Sequence, residues 1–163
     1  AVASYDGPPP NVGLVIERGT DWDWNASLVN EGGEPVVVVL PGDGSAAGWR
    51  TPIVRWTVIG EEGEVVQRNG VRCGNLNPLE VDEVVTLEPG ASVSIARYGL
   101  PSPRLPASGP VEVSLTYENV PDLEWKGGTL GRHDSRALAL LRRSPPLSLR
   151  SNVVRFERAP EAE

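Results

Sequence analysis

The residues of this chain with chemical potential are few and scattered. His133 is the only histidine and Cys73 the only cysteine among 163 residues. A nucleophilic serine or cysteine needs an imidazole within hydrogen-bond reach and a third group to orient that imidazole. Asp134 and Ser135 stand beside His133, but on a strand or at a helix start adjacent side chains diverge, so this spacing supports no triad. A lone cysteine forms neither an internal disulfide nor a cysteine metal cluster, and its expected place is the core. Asp21, Asp23 and Asp43 offer hard oxygen ligands, yet Ca²⁺ takes about six to eight, and the Asp-x-Asp pair lacks the glycine-turned loop that would converge them. Solvated acids are expected there, with no metal and no cofactor. The chain is not expected to be an enzyme; an acid-rich cleft with paired carboxylates is the enzymatic alternative that composition leaves open.

Tryptophan carries the remaining chemistry. Trp22, Trp24, Trp49, Trp56 and Trp125 each offer a flat, rigid face that can stack on a sugar or anchor in a protein pocket. The alternation of DWDWNASLVN from Asp21 puts Trp22, Trp24, Ala26 and Leu28 on one strand face, and that of PIVRWTVIG from Pro52 puts Trp56 with Val54 and Val58. Trp24 and Trp56 therefore read as core. Trp49 and Trp125 fall in loops and are the tryptophans expected in solvent. Trp125 and Lys126, with Arg132 and His133 shortly after, make residues 120–146 the expected binding region. Loops longer than about 15 residues in compact domains are usually functional or disordered.

Charge narrows the partners. A formal net charge of −7 argues against nucleic acid and anionic membrane, both of which need a basic footprint. Arginine is concentrated late, at positions 132, 136, 142, 143, 150, 155 and 158, which reads as a solvated face balancing an acidic first half. No apolar run approaches the roughly 18 residues of a bilayer-spanning helix, so no membrane insertion is expected. The opening AVAS has the small-residue composition of a signal-peptidase site, and a secreted or periplasmic location is the expectation that follows.

The elements that must position these residues read as strands. Sixteen prolines and 18 glycines break the chain too often for long helices. YDGPPPN from Tyr5 is a stiff extended leader, with residues 1–10 outside the domain, and APEAE from Ala159 is a polar tail. Between them, residues 11–158 form a single domain of eight to ten short strands. PVVVVL from Pro35 is apolar without alternation, as a strand covered on both faces would be. PVEVSLTYEN from Pro110 is the cleanest alternating strand, with Val111, Val113, Leu115 and Tyr117 facing one way. In LSLRSNVVRFER from Leu147 the apolar parity switches, which requires a bulge or break near Ser151-Asn152. The one helix is DSRALALLRR from Asp134, capped by Asp134 or Ser135 and ended before Pro145. The fold expected is an all-β antiparallel sandwich with this helix in a long late loop, a decoration whose deletion over residues 122–143 should leave the strands folded.

LEPGASVSI at Leu87 to Ile95, GPVEVSLTY at Gly109 to Tyr117 and LSLRSNVVRF at Leu147 to Phe156 together resemble bacterial extracytoplasmic immunoglobulin-like domains. Val111 stands where that pattern usually has a tyrosine after Gly-Pro. The resemblance covers the second half of the chain and implies a structural or binding module. The function expected is a non-catalytic module making protein or assembly contacts through residues 120–146. A carbohydrate-binding module using Trp49 or Trp125 is the first alternative. A peptidase-inhibitor-like domain presenting GLPSPRLP from Gly99 is the second.

Overall fold

The computed structural model describes residues 5–42, 54–68, 75–95, 102–119, 128–129 and 131–160, with backbone alone at 65–68, 75–76 and 128–129. Within them the chain forms β1 (Val12–Arg18), β2 (Trp24–Asn30), β3 (Val36–Val39), β4 (Val54–Gly60), β5 (Gly63–Arg68) and β6 (Asn75–Leu76). A 3₁₀ turn (Val81–Glu83) leads to β7 (Val84–Leu87) and β8 (Ser92–Ser94). Then come β9 (Gly109–Asn119), β10 (Gly128–Thr129), α1 (Ser135–Leu141), β11 (Leu147–Arg150) and β12 (Val154–Arg158). The fold is all-β with one short helix, as the breaker-rich composition implies. Apart from a two-residue parallel contact of β10 with β6, every ladder is antiparallel.

β9 is the central strand of a sheet ordered β11-β9-β4-β5, with β12 also paired to β9. Leu149 lies opposite Tyr117 and Val154 opposite Val113, so five steps on the β11–β12 side match four on β9. One residue is extra, and this is the bulge that the parity switch requires. Ser151 keeps the ladder intact up to it: its N–H donates to the Leu115 carbonyl (2.9 Å), and its Oγ accepts from the Leu115 N–H (2.8 Å).

The other strands pair as β1-β2-β8 and β3-β7. β2 and β3 succeed one another along the chain, and their partners β8 and β7 do so in reverse. The two long strands break opposite each other at 31–35 and 88–91. Buried Asn30 bridges the break: its Nδ2 donates to the carbonyls of Glu34 (2.8 Å) and Leu87 (2.9 Å), and its Oδ1 accepts from Gly32 N–H (3.0 Å). The 88–91 side is a turn with Pro89 second and Gly90 third, closed by Ala91 N–H to Glu88 O (2.9 Å). Gly90 has φ +79°, which favours glycine there.

One cluster joins both sets of strands: Leu14, Ile16, Trp24 and Leu28 meet Val54, Trp56, Val113, Leu115 and Tyr117. β3 is buried on both faces, as its unalternating run predicts. Val36 and Val38 enter that cluster, while Val37 and Val39 enter a second with Leu79, Val84 and Ala137. Here the helix departs from expectation. α1, N-capped by Asp134 Oδ1 accepting from Arg136 N–H (2.8 Å), turns Ala137 inward and packs Leu138, Leu140 and Leu141 beside this second cluster. It is a lid on β3 and β7 rather than a decoration. The physical reason is that an apolar face on both sides of β3 must be removed from water, and α1 is what lies over the outer one.

Trp22 also departs from its parity. Strand β2 begins only at Trp24, because residues 19–23 form a turn, and Trp22 stands 78% exposed on it.

Candidate functional site

The exposed tryptophan stands on a turn held from several sides. The amides of Gly19 and Thr20 both point to Asp23 O (2.8 and 3.4 Å), and Trp22 N–H donates to Thr20 Oγ1 (3.3 Å). A β-carbon on Gly19 would stand 2.6 Å from Asp23 Oδ2, so the Asp23 carboxylate packs directly over this glycine and would have to swing aside for any larger residue. From outside the turn, Ser102 Oγ donates to Trp22 O (3.0 Å), and the buried Trp24 ring donates its Nε1 proton to Asp21 O (3.1 Å).

Asp21 anchors the turn electrostatically. Its carboxylate takes Arg18 Nη2 at 2.6 Å on one oxygen and Arg158 Nε at 3.1 Å on the other. The bond from Arg18 is the main reason that the Asp21 carboxyl is held below the usual carboxylate range; partial burial opposes it and Arg158 adds to it. Arg158 also donates to Pro106 O (2.6 Å), and the Arg18 guanidinium lies 3.8 Å from the centre of the Phe156 ring. Behind Phe156, the Trp24 ring sits 6.2 Å away and meets Trp56 edge to face at 5.4 Å. A chain of contacts thus runs from the core to the surface turn, and Trp22 is the member of it left in water.

The same end of the molecule carries a groove of about 550 Å³, lined by Ile59, Gly60, Glu61, Pro110, Val111, Glu112, Arg155 and Phe156. The register builds it: Ile59, Glu112 and Arg155 lie side by side across β4, β9 and β12, with Val111 opposite Phe156. Arg155 Nε meets Glu112 Oε1 at 2.6 Å, while Glu61 forms no ion pair among the described residues. The lining is apolar with a charged rim.

The residues expected to form the site fare unevenly. Trp49, Trp125 and Lys126, like Cys73 and Asp43, lie outside the described residues. Arg132 is exposed. His133 is half-buried, and its Nδ1 accepts the Leu79 N–H (2.8 Å) while Asp134 N–H donates to Leu79 O (2.9 Å), which ties the start of α1 to the 3₁₀ region. Asp21 is occupied by two guanidiniums, and Asp23 lies over Gly19. Among the described residues no group of three or more His, Cys, Asp or Glu is arranged to hold a metal ion. Trp22 was missed for a local reason: strict alternation through DWDW hides the turn, and Gly19-Thr20 just before it was the available signal. Of GLPSPRLP, offered as an inhibitory loop from Gly99, residues 99–101 lie outside the described residues, while in 102–106 Pro103 is buried and Leu105 packs on the core.

Comparison with protein-family models, with curated proteins and with solved structures found no match for this chain.

Proposed function

We propose that this chain is a non-catalytic, immunoglobulin-like β-sandwich module of the extracytoplasmic space that makes protein or assembly contacts, and that the end bearing Trp22 and the groove is a contact face. The observation that carries the reading is Trp22 itself. Leaving an indole in water forgoes the burial that its neighbours Trp24 and Trp56 achieve, and here that cost is borne on a turn fixed by main-chain, side-chain and ionic bonds. A rigid, solvent-facing aromatic on a turn anchored by two arginines has the composition of an interface hot spot, because little conformational freedom remains to be lost on binding. The helical part of residues 120–146 contributes the exposed arginines of a second face.

The sandwich reading draws support from the single apolar cluster shared by the two sets of strands, and from the Leu-x-Ser-Asn-x-Val stretch, where Ser151 and the bulge close the sheet on β9. The non-catalytic reading draws support from His133, the one histidine, whose Nδ1 is already engaged by a main-chain amide. Carbohydrate binding would be favoured by two coplanar exposed rings. Among the described residues Trp22 is the one tryptophan in solvent, and its neighbour in the turn, Asp21, is held by Arg18 and Arg158.

The test is affinity capture from extract of the source cells with wild-type chain and with Trp22→Ala, followed by quantitative comparison of retained proteins. A protein retained by the first and lost with the second is expected. Identical retention by both would remove the Trp22 face from the proposal, and retention on immobilised glycans instead would favour the carbohydrate alternative.

A further inference from the structure

We propose that the groove receives residues 142–146 of a second copy of this chain, so that molecules join head to tail. The inference rests on the contact-module reading above and names the partner.

The groove offers apolar surface from Ile59, Pro110 and Phe156. Its surroundings are acidic: Glu61, Glu62 and Glu64 project from the β4–β5 hairpin and Glu157 from β12, all exposed and none in an ion pair among the described residues. Glu112 is already matched by Arg155. These carboxylates repel one another and have no counter-charge of their own.

The complementary surface lies at the far end of the same strand. β9 runs from Gly109, beside the groove, to Asn119, whose Nδ2 donates to Ser144 Oγ (2.8 Å) and Pro145 O (3.0 Å). That anchor presents the sequence Arg142-Arg143-Ser144-Pro145-Pro146 directly after α1. Arg142, Arg143 and Pro146 are exposed, and neither arginine has an ion-pair partner among the described residues. Ten residue steps at about 3.4 Å separate the two ends by about 34 Å, so no single molecule can bring them together. Two molecules can. Pro146 supplies an apolar, conformationally restricted group for the groove, and the two guanidiniums reach the hairpin carboxylates as forked donors. Because the two surfaces differ, the contact is heterologous and leaves one free surface at each end of a growing chain.

The test uses the full chain in sedimentation velocity and light scattering over a concentration series, at about 20 mM and about 500 mM salt. Wild type should gain mass with concentration at low salt and lose it at high salt. Arg142→Glu with Arg143→Glu should weaken association at least about tenfold, and so should Glu61→Arg with Glu62→Arg. All four positions are exposed, so each variant should keep the wild-type thermal midpoint. An equimolar mixture of the two double variants should associate again, since each then meets opposite charge on the other. A wild type that stays monomeric throughout, double variants that associate as the wild type does, or a mixture that stays monomeric would each overturn the head-to-tail contact. A monomer that still retains a Trp22-dependent partner from extract would overturn it while leaving the contact-module reading intact.

Discussion

The hydroxyl of Tyr117 closes the open edge of β3 at Val39. It donates to the Val39 carbonyl at 2.6 Å and accepts from the Val39 N–H at 3.2 Å. β3 pairs with β7 on its other side, where the next residue, Leu40, donates to Glu83 O. Val39 therefore has both main-chain groups turned away from β7, buried, with the phenol from β9 as their partner. Asn152 does the same for β1: its Oδ1 accepts from Ile16 N–H (2.8 Å) and its Nδ2 donates to Ile16 O (3.1 Å). Two side chains, one from β9 and one from the bulge after β11, stitch the two sets of strands together at edges that backbone pairing leaves open.

Tyr117→Phe keeps the ring and orphans both groups of Val39. A loss on the order of 3 kcal/mol is expected, because each buried main-chain group without a partner costs about 1–3 kcal/mol. Urea denaturation of the two proteins side by side checks it, and a difference below about 1 kcal/mol would mean that water replaces the phenol.

The same phenol gives the fold an alkaline limit. Burial raises its pKa above the ordinary value, with the bond to Val39 partly opposing. The folded state thus favours the neutral form, so this stabilisation is complete below the unfolded value of about 10 and declines as pH rises beyond it. Denaturation midpoints measured between about pH 9 and about pH 11.5 should fall for wild type. In Tyr117→Phe that component of the fall should be missing.

Asn152→Ala should cost about 1–2 kcal/mol and, more specifically, speed hydrogen exchange at the Ile16 amide relative to Leu14 and Leu28. An unchanged Ile16 exchange rate would show that the edge of β1 is protected by something other than this amide.

Asp21 carries the opposite pH sign. The bond from Arg18, reinforced by Arg158, lowers its carboxyl pKa in the fold. Its contribution is present above the unfolded value of about 3.9 and is lost as pH falls through the lower folded value. Asp21→Asn should flatten the acid side of the stability profile between about pH 4 and about pH 2.5, and added salt should shrink the difference between the two proteins.

For α1 the expectation drawn from sequence is reversed. Replacing residues 122–143 by a Gly-Ser bridge should bare Val37, Val39, Leu79 and Val84 and broaden or abolish cooperative unfolding. Ala137→Asp, which puts a carboxylate into that cluster, should cost on the order of 3 kcal/mol or more without touching the exposed arginines. Calorimetry on both proteins is the check.

What could be read from sequence was what local periodicity encodes. Val54, Trp56 and Val58, and Val111 through Tyr117, declare their faces by alternation, and the bulge at 151–153 declares itself by a parity switch. Asp134 and Pro145 bracket α1 by capping and by breaking. The doubly buried β3 was legible from VVVV, but not what covers it, because helix-to-strand docking between Ala137 and Val39 is a long-range contact with no local signature. Trp22 was misread because a turn within an alternating run preserves the alternation in letters while abolishing it in space. The edge bonds from Tyr117 and Asn152 were illegible for the same reason as the helix: each joins residues 78 or 136 positions apart.

The contact-face proposal is tested most directly at Trp22 itself. Fluorine NMR of the fluorotryptophan-labelled chain, with the Trp22 resonance assigned by Trp22→Phe, reports whether that ring leaves water when the chain enters a complex with a protein retained from extract. The Trp22 line should shift, broaden and lose its solvent-isotope effect, while the lines of buried Trp24 and Trp56 stay in place. A complex that forms with the Trp22 line unmoved and still solvent-sensitive would contradict the proposal and put the contact elsewhere on the molecule.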